Sequence, residues 1–217
     1  FWELIFNQDE LITLSTKNKL FDDIVSLEKL REQADYNTGS IGMPKAYSLY
    51  LLLRYFKPKR IIEIGTFIGR STLSMANALD TYSDIGEIHT CDMSNNITLP
   101  WQGKTNITQY PKTKSIDMLK KLTGEFDLIF LDGRISDEEL TSIENLLSQK
   151  TIIIFDDFEG MEKGVMNLIK LRQISKLNNH FQINPPSETF LNTYQFKTHS
   201  LMGALIPISL FRFTNQG

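Results

Sequence analysis

Arg60-Ile-Ile-Glu-Ile-Gly-Thr-Phe-Ile-Gly-Arg-Ser71 is the stretch on which the reading of this chain turns. Ile61, Ile62 and Ile64 form a short apolar run with an acid, Glu63, near its end. Gly65 and Gly69 then allow a tight turn and a close approach of backbone to a ligand. Ser71, Thr72, Leu73, Met75 and Ala76 continue at helical spacing. Strand, glycine turn and helix in this order have the shape of a nucleotide-type cofactor site. An ordinary strand-to-helix turn has the same local signature, so the flanking sequence must decide.

Downstream, strand and helix signals alternate. Strands are expected near 60–64, 87–92, 105–109, 126–132 and 151–156, and helices near 70–80, 113–122, 136–148 and 160–176. Runs as apolar as Phe126 to Leu131 and Thr151 to Phe155 read as strands buried on both faces of a parallel sheet. Two more strand-like runs, Phe181 to Asn184 and Met202 to Phe213, close the chain. Upstream, Leu20, Phe21, Ile24, Val25, Leu27 and Leu30 predict an amphipathic helix from about 17 to 31. A turn-rich loop, 35–42, leads to a second helix from Pro44 to Phe56, with Pro58 as its stop. The fold class is α/β, a Rossmann-like doubly wound sheet in a single domain, 1–217. Within it 1–58 form a helical cover and 59–217 the core.

Composition narrows the function. With 217 residues, 41% of them hydrophobic, and net charge −3, the chain can bury one substantial core. Lys and Arg are scattered, which argues against nucleic acid, since phosphate contacts need clustered positive charge. A small-molecule substrate fits better. The single cysteine, Cys91, lies in an expected strand and points to a reducing compartment, the cytoplasm. No run of about 18 apolar residues indicates a membrane span. The chain begins at Phe1, so an upstream segment is conceivable.

The spacing Glu63-x-Gly65-x-x-x-Gly69 is not the Gly-x-Gly-x-x-Gly that seats a pyrophosphate. It resembles motif I of the class I S-adenosylmethionine-dependent methyltransferases, and "EIGTFIGRS" is most similar to their O-methyltransferase branch. The resemblance implies a seven-stranded sheet of order 3-2-1-4-5-7-6 with an antiparallel strand at its C-terminal end, which the two closing runs can supply. It also implies roles. Glu63, Gly65, Thr66 and Gly69 would line the methionine part of the cofactor, and Ser71 would bond its carboxylate. Asp92, after the second strand, would accept hydrogen bonds from the ribose hydroxyls, with Met93 against the adenine and Ser115 at its edge. Thr38, Gly39 and Ser40 would form the cover.

The fourth strand ends in Asp132-Gly133 and the fifth in Asp156-Asp157, so three carboxylates meet at adjacent strand tips. Like charges so close need a counter-charge, and a divalent cation such as Mg²⁺ is the usual one. The pattern is similar to that of metal-dependent O-methyltransferases, both catechol-type and sugar-modifying, which implies Asp132, Asp156 and Asp157 as metal ligands and Asp132 as a catalytic residue. The likeness runs from about Thr38 to Phe158. One feature departs from it: the catechol-type base, a Lys three residues after the first ligand, is Ile135 here, and the sugar-type Asp two residues after it is Arg134. Arg cannot act as a base near neutral pH. His180 and His199 are alternative titrating groups.

Substrate selection would fall to Asn95 to Gln102 with Trp101, to Ser136 to Glu139, and to Pro186 to Leu201 with Phe190, Tyr194 and Phe196. Their aromatic residues suit a planar ligand or a homodimer surface equally. The leading expectation is a metal-dependent O-methyltransferase acting on a hydroxylated small molecule. A metal-free N- or O-methyltransferase, an NAD(P)-binding oxidoreductase and a catalytically silent relative stay as alternatives.

Overall fold

The computed structural model describes residues 1–35, 39–93, 97–158, 161, 163–193 and 202–211. Thr38, His199, Asn95, Tyr194 and Phe196 lie outside the described residues. Helices α1 (Trp2–Phe6), α2 (Leu14–Ser26) and α3 (Met43–Phe56) precede an alternating series. That series is β1 (Arg60–Ile64), α4 (Arg70–Leu79), β2 (Glu87–Cys91), β3 (Asn106–Tyr110), α5 (Ser115–Leu119), β4 (Phe126–Leu131), α6 (Asp137–Leu146), β5 (Leu147–Phe155) and α7 (Gly164–Leu171). The antiparallel end comprises β6 (His180–Ile183), α8 (Glu188–Thr193) and β7 (Gly203–Pro207). The seven strands form one sheet of order β3-β2-β1-β4-β5-β7-β6. The first five are parallel, and β7 runs antiparallel to both β5 and β6.

Strand periodicity decides what covers each face. Ile61, Leu128, Phe130, Ile152 and Ile154 join the buried residues of α1 to α4 in one core. Their neighbours Ile62, Ile64, Ile129, Leu131, Ile153 and Phe155 face the other way, against α5, α6 and α7. Glu63 shares a face with Ile61, so its carboxylate is turned toward the α3–α4 layer. Both faces being covered, the strands read as continuous apolar runs.

The predicted helix at 17–31 divides. Thr13 caps α2, its hydroxyl accepting from the Thr16 N–H at 3.3 Å, and after Ser26 the chain tightens into a 3₁₀ turn over Leu27–Gln33. That turn sets Leu27 and Leu30 one above the other, and both pack with Phe67, Ile68 and Leu73 beside the glycine turn. The helix expected to reach 148 stops at Leu146 because the wholly buried Leu147 already pairs with Phe126. The last run ends as a strand at Pro207, beyond which a 3₁₀ turn covers Ile208–Leu210. Helix α1 gave no sequence signal. It lies against the antiparallel end, the Trp2 indole donating to the Asn184 carbonyl at 2.7 Å and Phe6 stacking on Phe190.

Among the described residues no helix is long and apolar enough to cross a membrane. Phe130 is fully buried at the centre of the sheet. Phe130→Ala should cost about 3–5 kcal/mol, read as a lower urea midpoint with unchanged slope.

Candidate active site

Hydrogen bonding at the sheet's carboxyl edge continues one residue past the strands. The Asp132 N–H donates to the Ile64 carbonyl and the Asp156 N–H to the Leu131 carbonyl, each at 2.9 Å. The Gly65 N–H reaches the Cys91 carbonyl at 3.0 Å. Neighbouring strand tips are thereby locked in step, and the residues just beyond them surround a cavity of about 260 Å³. Its walls include Gly39, Gly65, Phe67, Asp92, Met93, Ser115, Asp132, Arg134 and Lys163.

Gly65 sits at φ +105°, and a Cβ there would come within 3.2 Å of the Asp132 carbonyl. Only glycine lets the β1 turn approach the β4 tip so closely. Asp92 accepts from the Phe67 N–H at 2.6 Å, so it both braces the glycine turn and lines the cavity. Phe67 is the turn's second left-handed position, at φ 42°. Ser115 lines the cavity and donates to Glu139. Glu139 also completes a capping box with Ser136 at the start of α6. The Ser136 to Glu139 segment, expected to select substrate, is therefore engaged in starting a helix.

Several candidates lie behind the cavity wall. Glu63 is fully buried and accepts from the Thr72 hydroxyl at 2.5 Å, while among the described residues its Oε1 has no partner at full hydrogen-bond geometry. Burial pushes its pKa up to about 7 against the pull of the Ser71, Thr72 and Thr90 hydroxyls. Thr66 is bonded to Thr90. Gly69, at φ 81°, caps α4, and Ser71 is buried in that helix's first turn. Ser40 is half-buried and does not border the cavity. Trp101 is folded back, its indole donating to the Thr105 carbonyl at 2.8 Å. His180 is buried on β6 and bonded to the Thr151 carbonyl at 2.9 Å, midway along β5 and away from the acids that follow its C-terminal end. Burial lowers its pKa, and it has no contact with the cavity.

The three aspartates do converge: Asp132, Asp156 and Asp157 each offer an oxygen, all within 4.8 Å of one another. Asp157 adopts φ 51°, a left-handed conformation that Asp tolerates better than most residues. Gly164 presses on this turn, since a Cβ there would meet the Asp156 carbonyl at 2.7 Å and the Phe158 Cα at 2.9 Å. The sequence reading missed two cations. Lys45, on α3, is bonded to Asp156 and lies 3.9 Å from Asp157. Lys163 is 2.6 Å from Asp157 and 3.6 Å from Asp132. Burial raises the Asp132 carboxyl well above the usual range, the neighbouring Asp156 adding to it. Burial likewise raises Asp156, with Lys45 opposing. Lys45 was detectable in principle as the only charged residue between Met43 and Leu53.

Two outcomes follow from this geometry. Glu63 binds a proton more readily folded than unfolded, so between about pH 4.5 and 7 its contribution to stability falls as pH rises, by about 3 kcal/mol in all. Glu63→Gln should flatten that decline in denaturant midpoints measured across the interval, whereas an unchanged slope assigns the titration elsewhere. Gly164→Ala, pressing on backbone, should lower the melting temperature by several degrees, the effect of about 1–3 kcal/mol.

Residues 62–158 match a family of proteins described as "Methyltransferase domain". A curated relative, the O-methyltransferase hkm8 of Aspergillus hancockii, is 32% identical over 111 residues. That match covers 46% of this chain and 43% of the fungal protein, so this chain spans less than half of that relative's length. Among solved structures, the O-methyltransferase TomG from Streptomyces achromogenes, in complex with S-adenosylmethionine, aligns at TM-score 0.57 and 20% identity over 85% of this chain and 89% of its own. An O-methyltransferase from Bacillus cereus, in complex with S-adenosylhomocysteine, aligns at 0.55 and 17% identity over 93% and 95%. Residues 62–158 are thus similar to a methyltransferase domain, and the chain shares the fold of these solved O-methyltransferases.

Proposed function

We propose that the chain is an S-adenosylmethionine-dependent O-methyltransferase acting on a hydroxyl of a small molecule. The observation that carries the reading is one cavity walled by the Gly65 turn, by Asp92 and by Asp132, with the acidic strand tips at its side. The O-methyltransferase activity and the cofactor named for its relatives support it. S-adenosylmethionine, when bound, supplies a methyl group on a good leaving group, and the protein's task is then mainly alignment.

The residues suit that task. Gly65 presents bare backbone to the cavity. Asp92 offers carboxylate oxygens to vicinal hydroxyls, and Met93 an apolar side chain to an adenine ring. The Ser115 hydroxyl, its proton committed to Glu139, keeps lone pairs for an amino group. Asp132 borders both the cavity and the acidic cluster, the position from which an acceptor hydroxyl can be oriented.

The donor set of Asp132, Asp156 and Asp157, all hard oxygens within 4.8 Å, fits a divalent ion, Mg²⁺ by ligand type. Such an ion supplies Lewis acidity that lowers the acceptor hydroxyl's pKa. That chemistry matches the lack of a base at Arg134 and Ile135. The substrate's remainder would lie toward Arg134 and Lys163 at the cavity rim.

Calorimetric titration with S-adenosylhomocysteine should give a dissociation constant of about 1–100 μM, weakened at least about tenfold in Asp92→Ala by loss of one charge-assisted hydrogen bond. Absence of heat with both S-adenosylmethionine and S-adenosylhomocysteine removes the proposal. Release of S-adenosylhomocysteine from hydroxylated metabolites should fall at least about a hundredfold with EDTA, and activity indifferent to EDTA and to Asp156→Ala assigns a metal-free reaction instead.

A further inference from the structure

Three carboxylates at the strand tips meet two ammonium groups, and the two are held in very different ways. Lys45 projects from α3, whose residues 45–53 are all buried, and its side chain is only 5% exposed. Its partner Asp156 is 4% exposed. An ammonium in that setting cannot withdraw without leaving a buried charge unpaired. Lys163 stands instead at the cavity rim, just before α7, with 36% of its side chain exposed. Its four-carbon stem ends in a strongly hydrated point charge, which water can take up at little cost.

Both lysines hold carboxylates that a divalent ion would use. Lys163 lies 2.6 Å from Asp157 Oδ2 and 3.6 Å from Asp132 Oδ1, bridging two of the three carboxylates. A doubly charged ion on those oxygens and an ammonium beside them repel each other. Burial works against the charge on Lys163, but its hydrogen bond to Asp157 and the fields of Asp132, Asp157 and Asp156 outweigh it and keep the ammonium protonated.

We propose that Lys163 is a displaceable internal cation, which bridges Asp157 and Asp132 while no divalent ion is bound and moves out to solvent when one arrives. Lys45 stays in place as the fixed counter-charge of Asp156. Lys163 thereby sets how tightly the ion is held. The inference rests on the divalent-ion reading above and assigns to this chain a residue that weakens its own metal site.

The probe is Mn²⁺ alone, followed by the electron paramagnetic resonance signal of the free ion in titrations of the full chain. Lys163→Gln should bind Mn²⁺ at least about tenfold more tightly than the unaltered protein, an ion-pair-sized effect in a partly exposed site. Lys163→Arg, keeping the charge, should stay within about threefold. Lys163→Ala repeats the neutral change, and thermal transitions establish that each variant is folded. Equal Mn²⁺ affinity in the unaltered and neutral proteins overturns the role of Lys163 and leaves the divalent reading intact. No Mn²⁺ binding by either, in proteins that still bind S-adenosylhomocysteine, overturns both.

Discussion

Three acids brought to adjacent strand tips by parallel hydrogen bonding are the constraint around which the carboxyl edge is organised. The ladder gives no choice about their proximity: once Asp132 donates to Ile64 and Asp156 to Leu131, the carboxyl groups share one small volume. Mutual repulsion and lost hydration must then be offset by positive charge. The fold draws that charge from two directions, Lys45 from the helical cover and Lys163 from the start of α7. The same edge holds the glycine turn, so that turn and the acidic cluster are coupled through the close approach of Gly65 to Asp132.

The cover is tied to the site by more than Lys45. Glu28 receives Arg70 at the head of α4, and Arg31 lies 5.2 Å from the centre of the Phe67 ring. Arg70 also donates to the Ile41 carbonyl at 3.3 Å. Leu27 to Ala34 are thus fastened to the glycine turn by an ion pair, a cation–π contact and shared apolar packing, and Ile41 by a hydrogen bond. Gly39 reaches the cavity wall from there.

Much of this was legible in the sequence because its signals are local. Apolar runs mark β1, β4 and β5, and the chemistry of an open α/β sheet lies just after its strands, which singles out Gly65, Asp92, Asp132, Asp156 and Asp157 without knowledge of packing. What escaped were relations across distance. Lys45 carries no local sign of its partner, which lies 111 residues away. Glu63 looked like a cofactor ligand because the acid is part of the motif. Strand alternation instead turns it to the α4 side, where the Thr72 hydroxyl donates to it. Glu139 could be recognised as a helix cap from Ser136, three residues earlier, yet nothing local foretold Ser115 as its second partner.

The family match begins at residue 62, after the whole helical cover. Lys45 belongs to that cover, and the carboxylate it neutralises belongs to the matched segment. The cover is therefore no detachable appendage to a self-sufficient catalytic module. Excising it would leave Asp156 as an unneutralised anion in apolar surroundings, so the matched segment depends on the cover for its charge balance.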